Sequence, residues 1–337
     1  MITGRGAAIF GCAGPVLTAQ EADFFRDYDP FGFIIFARNV ENPDQLRRLT
    51  ADLRASVGRN AAVLIDQEGG RVQRLRSPHW REWLPPLDTV LHAGPNAARA
   101  MALRSMIIAA ELRDVGIDAN CAPVADIATG ATHPFLRNRC YGTDAQTVTL
   151  IARAVADAHL AMGVLPVIKH LPGHGRANAD THHDLPTVAA GLAELTATDF
   201  APFRALNDLP MAMTAHIIFA VIDAVHPATQ SPDMIRVIRD VIGFGGLLMT
   251  DDLNMNALAG SLADRTSRSI AAGCDVALHC KGDLDQMIAV ATAAGDMTGP
   301  ALSRASAALA HRAVASPVDI AALETEFLLL TGQDAHG

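Results

Sequence analysis

Eight short apolar runs, each parted from the next by a stretch carrying helix signals, restrict this chain to a small set of folds. They are Ala7 to Cys12, Gly32 to Phe36, Ala61 to Asp66, Asp118 to Pro123, Leu165 to Lys169, Met211 to Thr214, Leu247 to Asp251 and Val276 to His279. They are largely apolar rather than alternating, as strands covered on both faces are. Between them, Thr18 with Glu21 makes a capping box, and Asn42-Pro43 and Ser231-Pro232 each place an N-cap before a first-turn proline. Gly163, Gly243, Gly273 and Gly295 stand where helices should stop. Repeated strand-then-helix units predict an α/β protein, a single (β/α)8 barrel of the TIM type. An open doubly wound sheet is the alternative. That fold favours a glycine-rich phosphate turn after its first strand, and Gly11-Cys12-Ala13-Gly14-Pro15 is not GxGxxG.

No Ser/Gly/Pro-rich linker or charge block divides the 337 residues, so 1–337 is expected to form one barrel domain with C-terminal helices over about 299–331. Apolar residues make up 50% of the chain, enough for a large core. The net charge of -9 argues against nucleic acid or an anionic membrane as partner, since both reward clusters of Lys and Arg. Five cysteines with no CxxC spacing predict reduced thiols and a cytoplasmic protein. Ala7 to Leu17 is apolar but broken by Gly11, Gly14 and Pro15, which suits a buried strand better than a signal peptide. No run reaches the roughly 18 apolar residues of a membrane span. No heptads or large apolar stripe are present, and a monomer is expected.

In such barrels the chemistry gathers where strands end. Polar groups stand at most of these ends: Arg38 and Asn39, Asp66, Asp126, Lys169 and His170, His216, Asp251 and Asp252, and His279. They are expected to surround one pocket. Lys169-His170-Leu171-Pro172-Gly173-His174-Gly175, then Asp180-Thr181-His182, is the densest of these exits. Asp251 directly follows an apolar run and is the nucleophile candidate, one of the Asp251/Asp252 pair facing the mouth while the other turns away or caps the next helix. His182 follows Asp180 closely enough for the carboxylate to hold one imidazole nitrogen and leave the other for proton transfer. His170, His174, His182, His183 and Asp184 leave a zinc site open as an alternative, although HExxH is absent.

Three of these segments also carry a resemblance. Ile65 to Arg74 (IDQEGGRVQR), Lys169 to His182 and Thr250 to Met255 (TDDLNM) resemble the family 3 glycoside hydrolases, and most nearly the single-domain bacterial β-N-acetylhexosaminidases of peptidoglycan recycling. The resemblance runs from Gly32 to Asp275. It implies a retaining exo-β-N-acetylglucosaminidase removing terminal β-1,4-linked GlcNAc from muropeptides that carry 1,6-anhydro-N-acetylmuramic acid. It implies Asp251 as nucleophile, His182 as general acid/base and Asp180 as that histidine's partner. Asp66, Arg74, Arg139, Lys169 and His170 would hold the non-reducing sugar, and neither cofactor nor metal would be needed. A family 3 glycosidase for another sugar and a metal-dependent barrel hydrolase are the alternatives. Further ones are a Schiff-base aldolase using Lys169 and a non-catalytic sugar-binding protein.

Other residues divide evenly between readings. His216 suits a pocket floor or a satisfied core histidine, and Trp80 with Trp83 suits a sugar-stacking platform or loop packing. Met211, Met213, Met249 and Met255 read as core fillers, Cys121 and Cys274 as buried thiols.

Overall fold

The structure is a computed structural model, and it describes residues 3–177, 185–312 and 318–332. The eight apolar runs form eight strands: β1 (Gly6–Gly11), β2 (Pro30–Ile35), β3 (Ala62–Ile65), β4 (Ala119–Asn120), β5 (Leu165–Leu171), β6 (Met211–Thr214), β7 (Leu247–Asp252) and β8 (Val276–His279). Each pairs in parallel with its chain neighbours, and β1 closes against β8 through Ala8 beside Ala277 and Ile9 beside Leu278. The result is a closed barrel in sequential order. The first six strands and β8 are buried along their whole length, which is why they are apolar without alternation.

The punctuation behaves as the residues dictate. Thr18 and Glu21 form the reciprocal capping box of helix Ala19–Tyr28, and Asn42 and Ser231 accept N-cap hydrogen bonds before Pro43 and Pro232. Gly163 and Gly273 both adopt positive φ, which favours a residue without Cβ. At the N-terminal end of the barrel, buried Asp118 and Asp275 are held by arginines: Asp118 by Arg54 and Arg312, Asp275 by Arg239 and Arg304. Each carboxylate also accepts a strand amide, of Val63 and Leu248 respectively. Polarity at that end joins strand to helix.

Two features were not legible in advance. Gln67–Gly69 and Val72–Gln73 form a small antiparallel ribbon, and Thr187–Val188 pairs with Ile218–Phe219. Helices Gly299–Ala310 and Ile320–Thr331 follow the barrel, the second capped by Asp319. That last helix explains Trp83, whose ring packs edge-on against Phe327 at 5.5 Å, and Arg81, which pairs with Glu324 and Glu111. Trp80 and Trp83 are buried loop packing, not a sugar platform. All five cysteines are free thiols. Among the described residues, no helix is long and apolar enough to cross a membrane.

Candidate active site

The C-terminal ends of β3, β5 and β7 bring their polar residues to one cavity of about 360 Å³. This is within the size range of small-molecule sites. It is lined by Asp66, Arg74, Arg139, Lys169, His170 and Asp251, together with Asp252, His174, Met213, Met255 and Cys280. Every sugar-binding and nucleophile candidate read from the sequence reaches it. Asp180 and His182 lie outside the described residues, as do His183 and Asp184. The strand-end ring is smaller than the sequence suggests. Asp126 and His279 are wholly buried, and Arg38 and Asn39 are spent on the carbonyl of Cys12 and its neighbours.

The cations and carboxylates form one continuous chain. Nζ of Lys169 lies 2.8 Å from Asp66 Oδ1 and 2.6 Å from Glu68 Oε1. Arg74 donates to the other oxygen of Asp66 at 2.9 Å. Arg139 clamps Glu68 through two nitrogens, at 2.7 and 2.8 Å, a bidentate geometry that only a guanidinium supplies. Arg139 also reaches Nε2 of His170 at 3.4 Å. His170 Nδ1 meets Asp126 Oδ2 at 2.7 Å, and the amides of His170 and His174 donate to Asp126 Oδ1.

Electrostatics follow from those contacts. Burial pushes the Asp66 carboxyl upward, but Lys169 and Arg74 outweigh it and hold it far below the usual carboxylate range. Burial likewise opposes the charge on Glu68, yet Arg139 and Lys169 bring it down to about 2. Burial works against the Lys169 ammonium too, and Asp66 and Glu68 still hold its pKa above the ordinary lysine value. All three are therefore charged at neutral pH.

Glu68 is the residue that sequence reasoning passed over. The signal was its place in Asp66-Gln67-Glu68, since residues two apart on an extended segment share a side. The turn beyond it needs glycine. Gly69 has φ of 106°, and a Cβ there would sit 1.7 Å from Arg104 Nη2. Arg104 is fully buried and donates to Thr89 Oγ1 and to the carbonyls of Glu68 and Leu84, so it fixes the backbone beneath Glu68.

On the β7 side, Asp251 Oδ1 accepts the amide of Asp252 at 2.8 Å. Burial would raise the Asp251 carboxyl, but the imidazoles of His216 and His170, that amide and Lys169 hold it below its ordinary value. It is a half-buried, ionised carboxylate at a cavity wall. Asp252 does not cap the following helix, whose N-cap is Ser261. Its Oδ1 instead accepts the amides of Asn254 and Cys280. His216 is a satisfied core histidine, with Nδ1 against Thr229 Oγ1 and Nε2 against the carbonyl of Asp252. Met213 and Met255 line the cavity, whereas Met211 and Met249 are core. Among the described residues, no three His, Cys, Asp or Glu side chains converge as metal ligands do.

Residues 17–310 match the model of the glycosyl hydrolase family 3 N-terminal domain. The chain belongs to glycosyl hydrolase family 3. A β-hexosaminidase of Bordetella avium is 36% identical to this family 3 enzyme over 284 residues, 82% of this chain and 80% of that one. One from Methylococcus capsulatus is 37% identical over 278 residues, 81% and 82% of the two chains. Among solved structures, NagZ from Neisseria gonorrhoeae, in complex with N-trifluoroacetyl-D-glucosamine, matches with a TM-score of 0.84 at 27% identity, over 98% of this chain and 97% of its own. A family 3 β-N-acetylglucosaminidase from a Paenibacillus species gives 0.86 at 26% identity, covering 96% of this chain and 67% of that one. The (β/α)8 barrel and glycoside hydrolysis are thus common ground for this family 3 member and its relatives.

Proposed function

We propose that this family 3 glycoside hydrolase is a retaining exo-β-N-acetylglucosaminidase, acting on terminal β-1,4-linked GlcNAc of 1,6-anhydro-N-acetylmuramyl muropeptides in cytoplasmic cell-wall recycling. The observation that carries this reading is Asp251, a half-buried carboxylate kept ionised in the cavity that also holds Asp66, Lys169 and Arg74. The names of the relatives, β-hexosaminidase and β-N-acetylglucosaminidase, support the sugar. Residues 1–337 would work as one barrel domain and as a monomer, without metal or cofactor.

In this mechanism the donors Arg74, Arg139 and Lys169 and the acceptor Asp66 divide the hydroxyls of the non-reducing sugar among them, with His170 held alongside by Asp126. Asp251 attacks the anomeric carbon as the bond to the leaving oxygen breaks, and His182 gives that oxygen its proton. His182, now neutral, takes a proton from water, which displaces Asp251 and restores the original configuration. Asp180 orients His182 and stabilises its protonated form. This pair is assigned from the sequence, where Asp180-Thr181-His182 stands just past the β5 exit.

The test is hydrolysis of 4-nitrophenyl β-GlcNAc and β-glucoside by wild type and Asp251→Ala, with EDTA throughout. Release from the GlcNAc substrate alone, lost in the variant, is expected. Turnover of the glucoside instead would reassign the sugar, and inhibition by EDTA would return the histidines to a metal role.

A further inference from the structure

The side chain of Glu68 is 1% exposed and does not itself line the cavity, whereas both of its partners, Lys169 and Arg139, do. It therefore has no surface to offer a substrate. Its geometry is nonetheless strict: one oxygen is shared between the Lys169 ammonium and Arg139, and the other takes the second arm of the Arg139 fork. The backbone beneath it is fixed by Arg104.

The neighbouring charges give this arrangement its meaning. Lys169, Arg139 and Arg74 face Asp66 and Glu68, three cations against two carboxylates. Without Glu68 this cluster would hold three cations against one, in a cavity to which Arg71, Asp251 and Asp252 also contribute charge. Cations in a partly desolvated cavity with that imbalance bind any small anion by charge alone, because the local dielectric is low. Cations already compensated from behind keep their N–H groups as directional donors and lose most of their pull on free charge.

We propose that Glu68 is a positioning and specificity residue: an internal counter-ion that aims Lys169 and Arg139 and keeps the cavity selective for an uncharged sugar over an anionic one. This rests on the reading of the cavity as a sugar site. Glu68 is held at about 2, so the compensation is in force throughout the neutral range. Asp251, ionised in the same cavity, works in the same direction.

The experiment uses sulfate as the anionic probe, at constant ionic strength, against wild type, Glu68→Gln, Glu68→Met and Glu68→Asp. Calorimetric binding of sulfate needs no turnover, so it reports on Glu68 even if the GlcNAc assignment fails. Kinetics with 4-nitrophenyl β-GlcNAc report the sugar. Glu68→Gln and Glu68→Met are expected to bind sulfate at least tenfold more tightly than wild type, competitively with sugar, with KM raised more than kcat is lowered. Glu68→Asp keeps the charge and should stay insensitive to sulfate, a distinction that a merely structural role would not produce. The wild type alone offers a test if both neutral variants fail to fold: sulfate competing with sugar in the native enzyme overturns the proposal. So does unchanged sulfate affinity and KM in folded Glu68→Gln, or equal sulfate binding by the Asp and Gln variants.

Discussion

Nδ1 of His170 meets Asp126 Oδ2 at 2.7 Å, inside a barrel end from which Asp126 has no access to the cavity. A carboxylate cannot donate, so Nδ1 carries the proton and Nε2 is the nitrogen turned toward Arg139. Burial opposes the charge on Asp126, and His170 together with His174 and its amide more than offsets it, holding the carboxyl below its ordinary value.

Asp126→Ala should therefore act twice. His170 loses its tautomer and orientation, and the His174 amide loses its acceptor. Leaving buried donors unpaired costs about 1–3 kcal/mol each. Three buried donors, the His170 amide and Nδ1 and the His174 amide, lose their acceptor, so denaturant unfolding should show a loss of about 3 kcal/mol or more. KM for 4-nitrophenyl β-GlcNAc should rise about tenfold, equivalent to roughly 1.4 kcal/mol. Unchanged KM would mean that His170 needs no anchor.

Asp251→Ala is expected to lower kcat by about 10⁴, or roughly 5.5 kcal/mol of barrier. Calorimetric affinity for free GlcNAc should change little, because in the proposed mechanism Asp66, Lys169, Arg74 and Arg139 would hold the sugar separately from Asp251. A variant that lost binding as completely as turnover would make Asp251 a sugar ligand instead.

Acid should weaken the fold in a defined window. Asp66, Glu68 and Asp126 all have folded-state pKa values below their unfolded ones, with Glu68 near 2. Their stabilisation is complete above the unfolded carboxylate value of about 4 and is lost as pH falls through the folded values. Lys169 has a raised value, so its share is complete below about 10.4 and is lost as pH rises from there through its folded value. Buried His159, His174 and His279 are lowered to about 4 by desolvation. The urea midpoint should therefore be nearly level only from about pH 8 to 7, decline below the unfolded histidine value of about 6.5, and fall further toward pH 2, the last part more gently in Glu68→Gln. An equally steep fall in that variant would remove Glu68 from the account.

Phe327→Ala should cost about 3 kcal/mol or more by uncovering the Trp83 ring, while specific activity per folded molecule stays near wild type. Lost activity at full folding would show that the last helix reaches the site.

The strands and the cavity residues were legible for different reasons. Strands of a closed parallel barrel must be apolar on both faces, so their positions are written locally, to within two residues of the observed ends except at β4, which stops at Asn120, three residues short of Pro123. Asp66, Lys169 and Asp251 stand at those ends and inherit their legibility. Glu68 is harder: its place two residues after Asp66 puts it on the same side, but its partners Lys169 and Arg139 lie 71 residues away or more, so that local pattern does not reveal the buried ion triad. His216 needed Thr229 and Trp83 needed Phe327 before either could be read, contacts made only after the chain had folded. The two short ribbons lack enough residues for any periodicity.

Because β1 is completed by β8, the barrel has no finished edge until residues 276–279 have been made. Before that, β1 and the strand preceding β8 each offer unpaired N–H and C=O groups to whatever strand comes near. During synthesis the N-terminal strand thus waits through more than 260 residues for its neighbour, the longest-range pairing between strands of the barrel and the slowest kind to form. Premature termination anywhere upstream of β8 yields an adhesive open sheet in place of a weaker enzyme.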